Sequence, residues 1–189
     1  MEHLKPDDSF TEVRIIGHSE GSLIGMVAEE RAPADSFISI AGAGRPIDEV
    51  LMEQLAEQLL ENLLEEARQV IGQLKEGKQV ATVSPELQSL FRPSVQPYMI
   101  SWLAYNPQEE VTALEIPVLI LGGTADSQVP ESDAESLHAA HPESELLILD
   151  CMNHVLKTIS EKAENEAAYR NPDLPLSDGL RDGIIRFLE

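Results

Sequence analysis

The 189-residue sequence has one cysteine, few basic residues, few aromatic residues and no long hydrophobic run. The single cysteine, Cys151, cannot form an intramolecular disulfide or a thiolate metal cluster, which is typical of a reducing compartment. No stretch approaches the roughly 20 apolar residues of a membrane span. The segment from Met1 to Asp8 has acidic residues and a proline where a secretory signal needs an apolar run. We therefore expect a cytoplasmic chain without a membrane span.

Basic residues are scarce relative to acidic ones. Thirteen Lys and Arg face 34 Asp and Glu, so the formal net charge is −21 at pH 7. Such a field repels phosphate backbones and anionic lipids, and it favours the capture of neutral or cationic small molecules over anions. The sequence thus predicts no nucleic-acid partner. The hydrophobic fraction of 42% and the charged fraction of 25% are those of an ordinary globular chain.

Short apolar runs alternate with helical patterns at both ends of the sequence. A first strand–helix–strand unit is predicted at Val13–Ile16, Ser22–Arg31 and Phe37–Ala41, and a second at Pro117–Leu121, Glu131–Ala140 and Glu145–Leu149. Such units are typical of an α/β fold with a parallel sheet of about four strands. A last amphipathic helix is predicted at Ser177–Leu188, with Ser177 as its N-cap, after a polar and mobile surface loop at Ser160–Pro175.

The middle of the chain has a different pattern. From Ile47 to about Lys75, apolar residues recur at helical spacing, which predicts one long amphipathic helix that packs on the protein. A coiled coil is the alternative, although the apolar stripe is wider than a strict seam. Four prolines and four of the eight aromatic residues follow between Ser84 and Pro107, which indicates short helices separated by turns.

A Gly-x-Ser-x-Gly motif, Gly17-His18-Ser19-Glu20-Gly21, lies between the first predicted strand and the first predicted helix. A sharp strand-to-helix turn needs small residues on both sides to expose a strained serine, so this context favours a nucleophile over an ordinary Gly-rich loop. The N–H of Glu20 at the helix start is a candidate donor to an oxyanion.

A nucleophilic serine needs a base and a carboxylate that orients the base. Asp126 and His154 each follow a predicted strand, and the carboxyl ends of parallel strands lie on the rim where Ser19 is expected. Other histidines could be the base and other aspartates the carboxylate, but they lie at less favourable positions: His3, His18, His138, His141, Asp133 and Asp150. The signatures of phosphate loops, dinucleotide sites and zinc proteases are absent, so neither a cofactor nor a metal is expected.

The order Ser19, Asp126, His154 on the ends of successive strands resembles the α/β-hydrolase family. The phrases Ile116–Asp126 and Met152-Asn153-His154 are most similar to its esterase, lipase and serine-aminopeptidase-like branch. The resemblance implies a hydrolase core at residues 1–44 and 113–189, with a helical lid at 45–112. It also implies a small-molecule ester as substrate, with thioesters and peptides as alternatives, an acyl-enzyme intermediate on Ser19, and binding of the acyl or alkyl group by lid residues. The candidates for that binding are Phe91, Tyr98 and Trp102, for which packing is the alternative role.

The sequence departs from that family in one respect. Family members place four strands and about 80 residues ahead of the nucleophile, including the loop that supplies a second oxyanion N–H. Here the serine is residue 19, so we expect a truncated hydrolase with weakened activity and an exposed strand edge. That edge predicts a homo-oligomer. The alternative is an inert truncated hydrolase that serves as an interaction domain or as one part of a complemented enzyme.

Overall fold

The computed structural model describes residues 9–189, apart from the side chain of Lys162. The segment from Met1 to Asp8, with His3, lies outside the described residues. Two compact units are present: a sheet unit, which runs to Gly44 and resumes at Pro107, and a helical unit, Arg45–Asn106.

Four parallel strands form the sheet, as the sequence predicts, in the spatial order β1-β2-β3-β4. The strands are β1 (Arg14–His18), β2 (Ser36–Ile40), β3 (Val118–Gly123) and β4 (Glu145–Leu149). Every residue of the two central strands is buried, because helices cover both faces of a parallel sheet. Within residues 9–189, β1 has a neighbouring strand on one side only.

Helices α1 (Glu20–Arg31), α6 (Pro107–Thr112) and α7 (Glu131–Ala140) pack on one face of the sheet. Their core contacts are made by Met26, Val111 and Leu137, which cluster with strand residues Phe37 and Ile120. Since Val111 is fully buried in this cluster, the sheet unit resumes at Pro107 rather than at residue 113. Helix α9 (Leu180–Leu188) packs on the second face, where Leu180 clusters with Ile38 and Leu119.

Two predictions near the carboxyl terminus are wrong. The last helix begins at Leu180, because the Ser177 hydroxyl hydrogen-bonds the Thr158 hydroxyl at 2.9 Å and Gly179 turns the chain with a φ of 82°. The predicted loop at Ser160–Pro175 contains a 3₁₀ turn at Lys162–Glu164 and a helix, α8 (Asn165–Arg170). That helix is short and mostly polar, so its sequence carries little hydrophobic periodicity.

The helical unit contains α2 (Ile47–Ala56), α3 (Glu61–Lys75), a 3₁₀ turn at Pro85–Leu87, α4 (Gln88–Phe91) and α5 (Gln96–Trp102). The predicted single helix from Ile47 to Lys75 is therefore wrong, although the chain at the break has neither glycine nor proline. The buried stripe of α2 ends at Leu55 and that of α3 starts at Leu64. Leu55 and Leu64 are nine residues apart, which is about two and a half helical turns. In one continuous helix, the two buried stripes would therefore lie on opposite sides of the helix.

Candidate active site

Ser19 lies at the turn between β1 and α1. Its φ of 56° and ψ of −124° are strained for a residue with a side chain, and its N–H donates to the Ile40 carbonyl at 2.9 Å. The turn is tight: a Cβ added at Gly17 would lie 2.2 Å from the carbonyl oxygen of Gly21. Glycine at position 17 therefore lets the start of α1 approach the end of β1 while Ser19 projects at the turn.

Asp126 lies just beyond β3, in a turn held by its own carboxylate. Its Oδ1 accepts the N–H groups of Gln128 at 2.8 Å and Val129 at 2.9 Å. These bonds fix the carboxylate, whose side chain is only 1% exposed, with Oδ2 directed at the next loop. The sequence therefore positions Asp126 through a local turn, as short Asp side chains commonly do.

His154 lies beyond β4 and bridges the other two residues. Its Nδ1 is 2.8 Å from Asp126 Oδ2, and its Nε2 is 3.0 Å from Ser19 Oγ. The loops meet closely, because a Cβ at Gly123 would lie 2.2 Å from the Met152 carbonyl. Only a glycine at the end of β3 permits this contact, which brings the carboxylate and the imidazole together.

These distances allow one chemically useful arrangement of protons. A buried carboxylate accepts the Nδ1 proton of the imidazole, which leaves the Nε2 lone pair free to accept the hydroxyl proton of the serine. The arrangement can thus activate Ser19 as a nucleophile without a metal. Among residues 9–189, no group of three or more His, Cys, Asp or Glu side chains could hold a metal ion.

The competing candidates have partners elsewhere. The carboxylate of Asp150 accepts the Thr124 hydroxyl at 3.0 Å, and Asp133 accepts the Gly44 N–H at 2.9 Å. Of the competing histidines, His138 Nδ1 contacts the Ser144 hydroxyl at 2.9 Å, and His141 Nε2 contacts the Leu114 carbonyl at 3.0 Å. None of these four residues is hydrogen-bonded to Ser19 or His154 in the described part of the chain.

His18 lies closer to the site than its sequence position suggested. Its Nε2 is 2.8 Å from the backbone oxygen of His154, and the two rings are 5.0 Å apart between centroids, with a tilt of 43°. Sequence reasoning treated it as a variable residue of the motif, although its place beside Ser19 was a usable signal. The ring therefore contacts the loop that carries the imidazole.

The remaining predicted site residues fall in two places. Glu20 is the first residue of α1, at the helix end that carries the positive end of the helix dipole. In the helical unit, Phe91 is fully buried, which corresponds to the packing alternative, whereas Tyr98 is 45% exposed. The rings of Tyr98 and Trp102 are 5.5 Å apart between centroids, at an angle of 48°.

Sequence reasoning missed two asparagines behind the site. Asn153, the residue before His154, is fully buried and donates to Asn165 Oδ1 at 2.9 Å. Asn165 in turn donates to Ser127 Oγ at 3.0 Å. Asn153 could have been noticed through its neighbour His154, but Asn165 lies in the segment predicted as a mobile loop and offered no signal.

Comparison with known proteins adds an independent view. No family model matches the sequence. Over 156 residues the chain is 28% identical to esterase EstD of Thermotoga maritima, a match that covers 81% of this chain and 37% of the relative. The chain thus spans little more than a third of the length of the curated relative that it matches.

Solved structures show the fold. The esterase PF2001 of Pyrococcus furiosus superposes with a TM-score of 0.55 at 13% identity, over 99% of this chain and 57% of that one. The meta-cleavage product hydrolase CumD of Pseudomonas fluorescens superposes with a TM-score of 0.50 at 18% identity, over 95% of this chain and 65% of that one. Among residues 9–189 no helix is both long and apolar enough to cross a lipid bilayer.

Proposed function

Because the chain has part of an α/β-hydrolase fold and hydrogen bonds join Ser19, His154 and Asp126, we propose that it hydrolyses carboxylic esters. The observation that carries the proposal is the unbroken path from Ser19 Oγ through the imidazole to the buried carboxylate, at 3.0 and 2.8 Å. The similarity to an enzyme named as an esterase supports the substrate class. The acyl-enzyme route and the roles of the individual residues belong to the proposal.

In the first half-reaction, Ser19 Oγ attacks the ester carbonyl carbon as His154 Nε2 takes the hydroxyl proton. The tetrahedral intermediate collapses, the carbon–oxygen bond to the alcohol breaks, and the imidazolium returns its proton to the departing alcohol. In the second half, water attacks the acyl-serine, with the same imidazole as base, and the acid is released. Asp126 holds the imidazole tautomer and stabilises its charge throughout.

We assign the oxyanion contact to the backbone N–H of Glu20, in the first turn of α1. It is the one donor that we assign among residues 9–189, whereas enzymes of this type use two. Removal of one donor lowers turnover by about 10²-fold to 10³-fold, so we expect weak activity, most evident on activated esters.

The substrate side of the proposal rests on charge and on the helical unit. With a net charge of −21, the chain should favour neutral or cationic esters over anionic ones.

We propose the helical unit as a lid whose Tyr98 and Trp102 contact the acyl or alkyl group. Since Trp102 is the single tryptophan, an ester analogue that binds there should change the intrinsic fluorescence, and Trp102→Phe should raise KM. The cytoplasmic location predicted from the sequence stays a prediction.

A second candidate function, an interaction domain or one part of a complemented enzyme, is favoured by the edge of the sheet. On the edge strand β1 Ile16 is 54% exposed, and nearby on the chain Ile24 of α1 is 58% exposed. An open strand edge with exposed apolar side chains can pair with another strand. We propose a second copy of the chain as the partner, so light scattering should report an oligomer that Ile16→Lys dissociates; a wild-type monomer at micromolar concentration contradicts this.

Hydrolysis of p-nitrophenyl acetate and butyrate tests the leading proposal. Saturable turnover is expected for the wild type and should disappear in Ser19→Ala, with folding checked by circular dichroism. The matched control is Ser136→Ala on α7, whose hydroxyl donates to the Ser132 carbonyl of its own helix at 2.7 Å. Equal rates for the folded wild type and Ser19→Ala would overturn the proposed enzyme and favour the interaction domain.

A further inference from the structure

Behind the three proposed catalytic residues, one side chain joins the two loops that carry the acid and the base. Asn165, the first residue of α8, accepts a hydrogen bond from Asn153 Nδ2 at 2.9 Å and donates one to Ser127 Oγ at 3.0 Å. Asn153 precedes His154, and Ser127 follows Asp126. A single amide therefore connects the neighbours of both residues.

Each end of this connection is firmly coupled to its loop. Asn153 is fully buried, its N–H donates to the Lys157 carbonyl at 3.0 Å, and its Oδ1 accepts the Lys157 N–H at 2.9 Å. These two bonds close the turn that carries His154. At the other end, Ser127 lies inside the turn closed by the Asp126 carboxylate on the N–H groups of residues 128 and 129. Movement of Ser127 would therefore move the carboxylate.

A second contact from α8 reinforces the first. Gln128 Nε2 donates to Tyr169 Oη at 2.6 Å, and Tyr169 lies four residues after Asn165, on the same face of the helix. Burial raises the pKa of the Tyr169 phenol, with the charge of Asp126 acting in the same direction. The hydrogen bond with Gln128 acts in the opposite direction.

Two open pockets border Asn165, although Ala168 of the same helix is buried. A cavity of about 410 Å³ lies on one side, lined by Asp126, Cys151, Ile159 and Asn165 among others. A second of about 320 Å³ is lined by Gln128, Asn165 and Tyr169 among others. Because both cavities reach Asn165, close packing does not hold its side chain on these sides, and its hydrogen bonds carry the connection between the loops.

We propose that Asn165 is a positioning residue. It holds the loops that carry Asp126 and His154 at the separation that lets the carboxylate and the imidazole form their hydrogen bond. The inference rests on the proposed hydrolytic function. An amide suits this task because it presents an acceptor to the Asn153 amide and a donor to the Ser127 hydroxyl at the same time. An apolar residue of similar size would break both bonds.

The test compares Asn165→Leu with Ser127→Ala, which removes the acid-loop bond of Asn165 and leaves its bond to Asn153, and with Asn171→Leu. The control makes the same chemical change just past the end of α8, where Asn171 Oδ1 accepts the N–H of nearby Asp173 at 3.1 Å. We expect Asn165→Leu to lower kcat on p-nitrophenyl butyrate about tenfold with KM within about twofold, as for a weakened hydrogen bond. The double variant with Ser127→Ala should be no slower than Asn165→Leu alone, since both break one connection.

A second readout does not depend on activity. The proton between His154 Nδ1 and Asp126 should give a low-field NMR signal, assigned by its loss in His154→Gln, that broadens or vanishes in Asn165→Leu and persists in Asn171→Leu. If Asn165→Leu retains both kcat and the signal, or if the wild type has no such signal, the positioning role is wrong. If the wild type fails to hydrolyse esters yet its signal depends on Asn165, the proposed function falls and the positioning role stands.

Discussion

Replacing Gly17 by alanine should disrupt the nucleophile turn, whereas the same change at Gly21 in the same motif should not. An added Cβ at position 17 would lie 2.2 Å from the Gly21 carbonyl oxygen, 2.6 Å from its carbonyl carbon and 2.7 Å from the Ser22 Cα. All three are backbone atoms, which no side-chain rotation can move. At position 21, nothing lies within 4 Å of the added atom.

The size of the effect follows from these distances. To bring the closest contact from 2.2 Å to 3.0 Å, the start of α1 must move about 0.8 Å from the end of β1. Ser19 lies between the two, and a displacement of about 1 Å from reactive geometry lowers a rate by about 10²-fold. Overpacking of this kind destabilises a fold by about 1–3 kcal/mol. Gly21→Ala, by contrast, lies in the first turn of α1, where alanine favours the helix.

The assay is the rate at which a fluorophosphonate labels Ser19, measured beside the thermal unfolding midpoint of each variant. Gly17→Ala should be labelled about 10²-fold more slowly than the wild type and should unfold at a lower temperature. Gly21→Ala should match the wild type in labelling and be at least as stable. Wild-type labelling of Gly17→Ala, or an equal loss in Gly21→Ala, would refute the explanation of the turn.

Two further predictions concern carboxylates of the sheet unit. Asp126→Asn should keep the fold but lower turnover by about 10⁴-fold, because an amide favours the wrong imidazole tautomer; steady-state kinetics with p-nitrophenyl butyrate measure this, and a loss below tenfold contradicts the role of the acid. Burial raises the pKa of Glu110, and the charges of Glu30 and Glu109 add to the shift, so the native state favours the protonated carboxyl and loses stability as pH rises above about 4.5. Glu110→Gln should therefore raise the unfolding midpoint at pH 7 and have no effect well below pH 4.5, whereas an equal gain at both values would exclude this cause.

The parts of the fold that sequence reasoning predicts correctly are those with short-range signals. The strands are short apolar runs, three of which have glycine at or near their end, and helix α7 is predicted at its observed bounds, Glu131–Ala140. The fold class follows from their alternation. For the three proposed catalytic residues, position after a strand was the useful signal, since parallel strands bring their carboxyl ends to one rim.

The errors arise where tertiary contacts decide. The break between α2 and α3 depends on which side of each helix is buried, and Leu60 at the break is 74% exposed. Likewise, the start of α9 is set by the contact of Ser177 with Thr158, nineteen residues away along the chain. Asn165 has no local signal at all, because its partners at positions 127 and 153 are distant in sequence. Such contacts become visible only in three dimensions.

The mass of the protein after incubation with a fluorophosphonate shows directly whether Ser19 is an activated nucleophile. We predict one phosphonyl adduct per chain, mapped by peptide sequencing to Ser19, with the fluoride lost as the leaving group. The adduct should be absent in Ser19→Ala and should form far more slowly in His154→Gln, because the imidazole no longer accepts the hydroxyl proton. An unmodified wild-type protein that is correctly folded, or an adduct on another residue, would contradict the claim that Ser19 is an activated nucleophile.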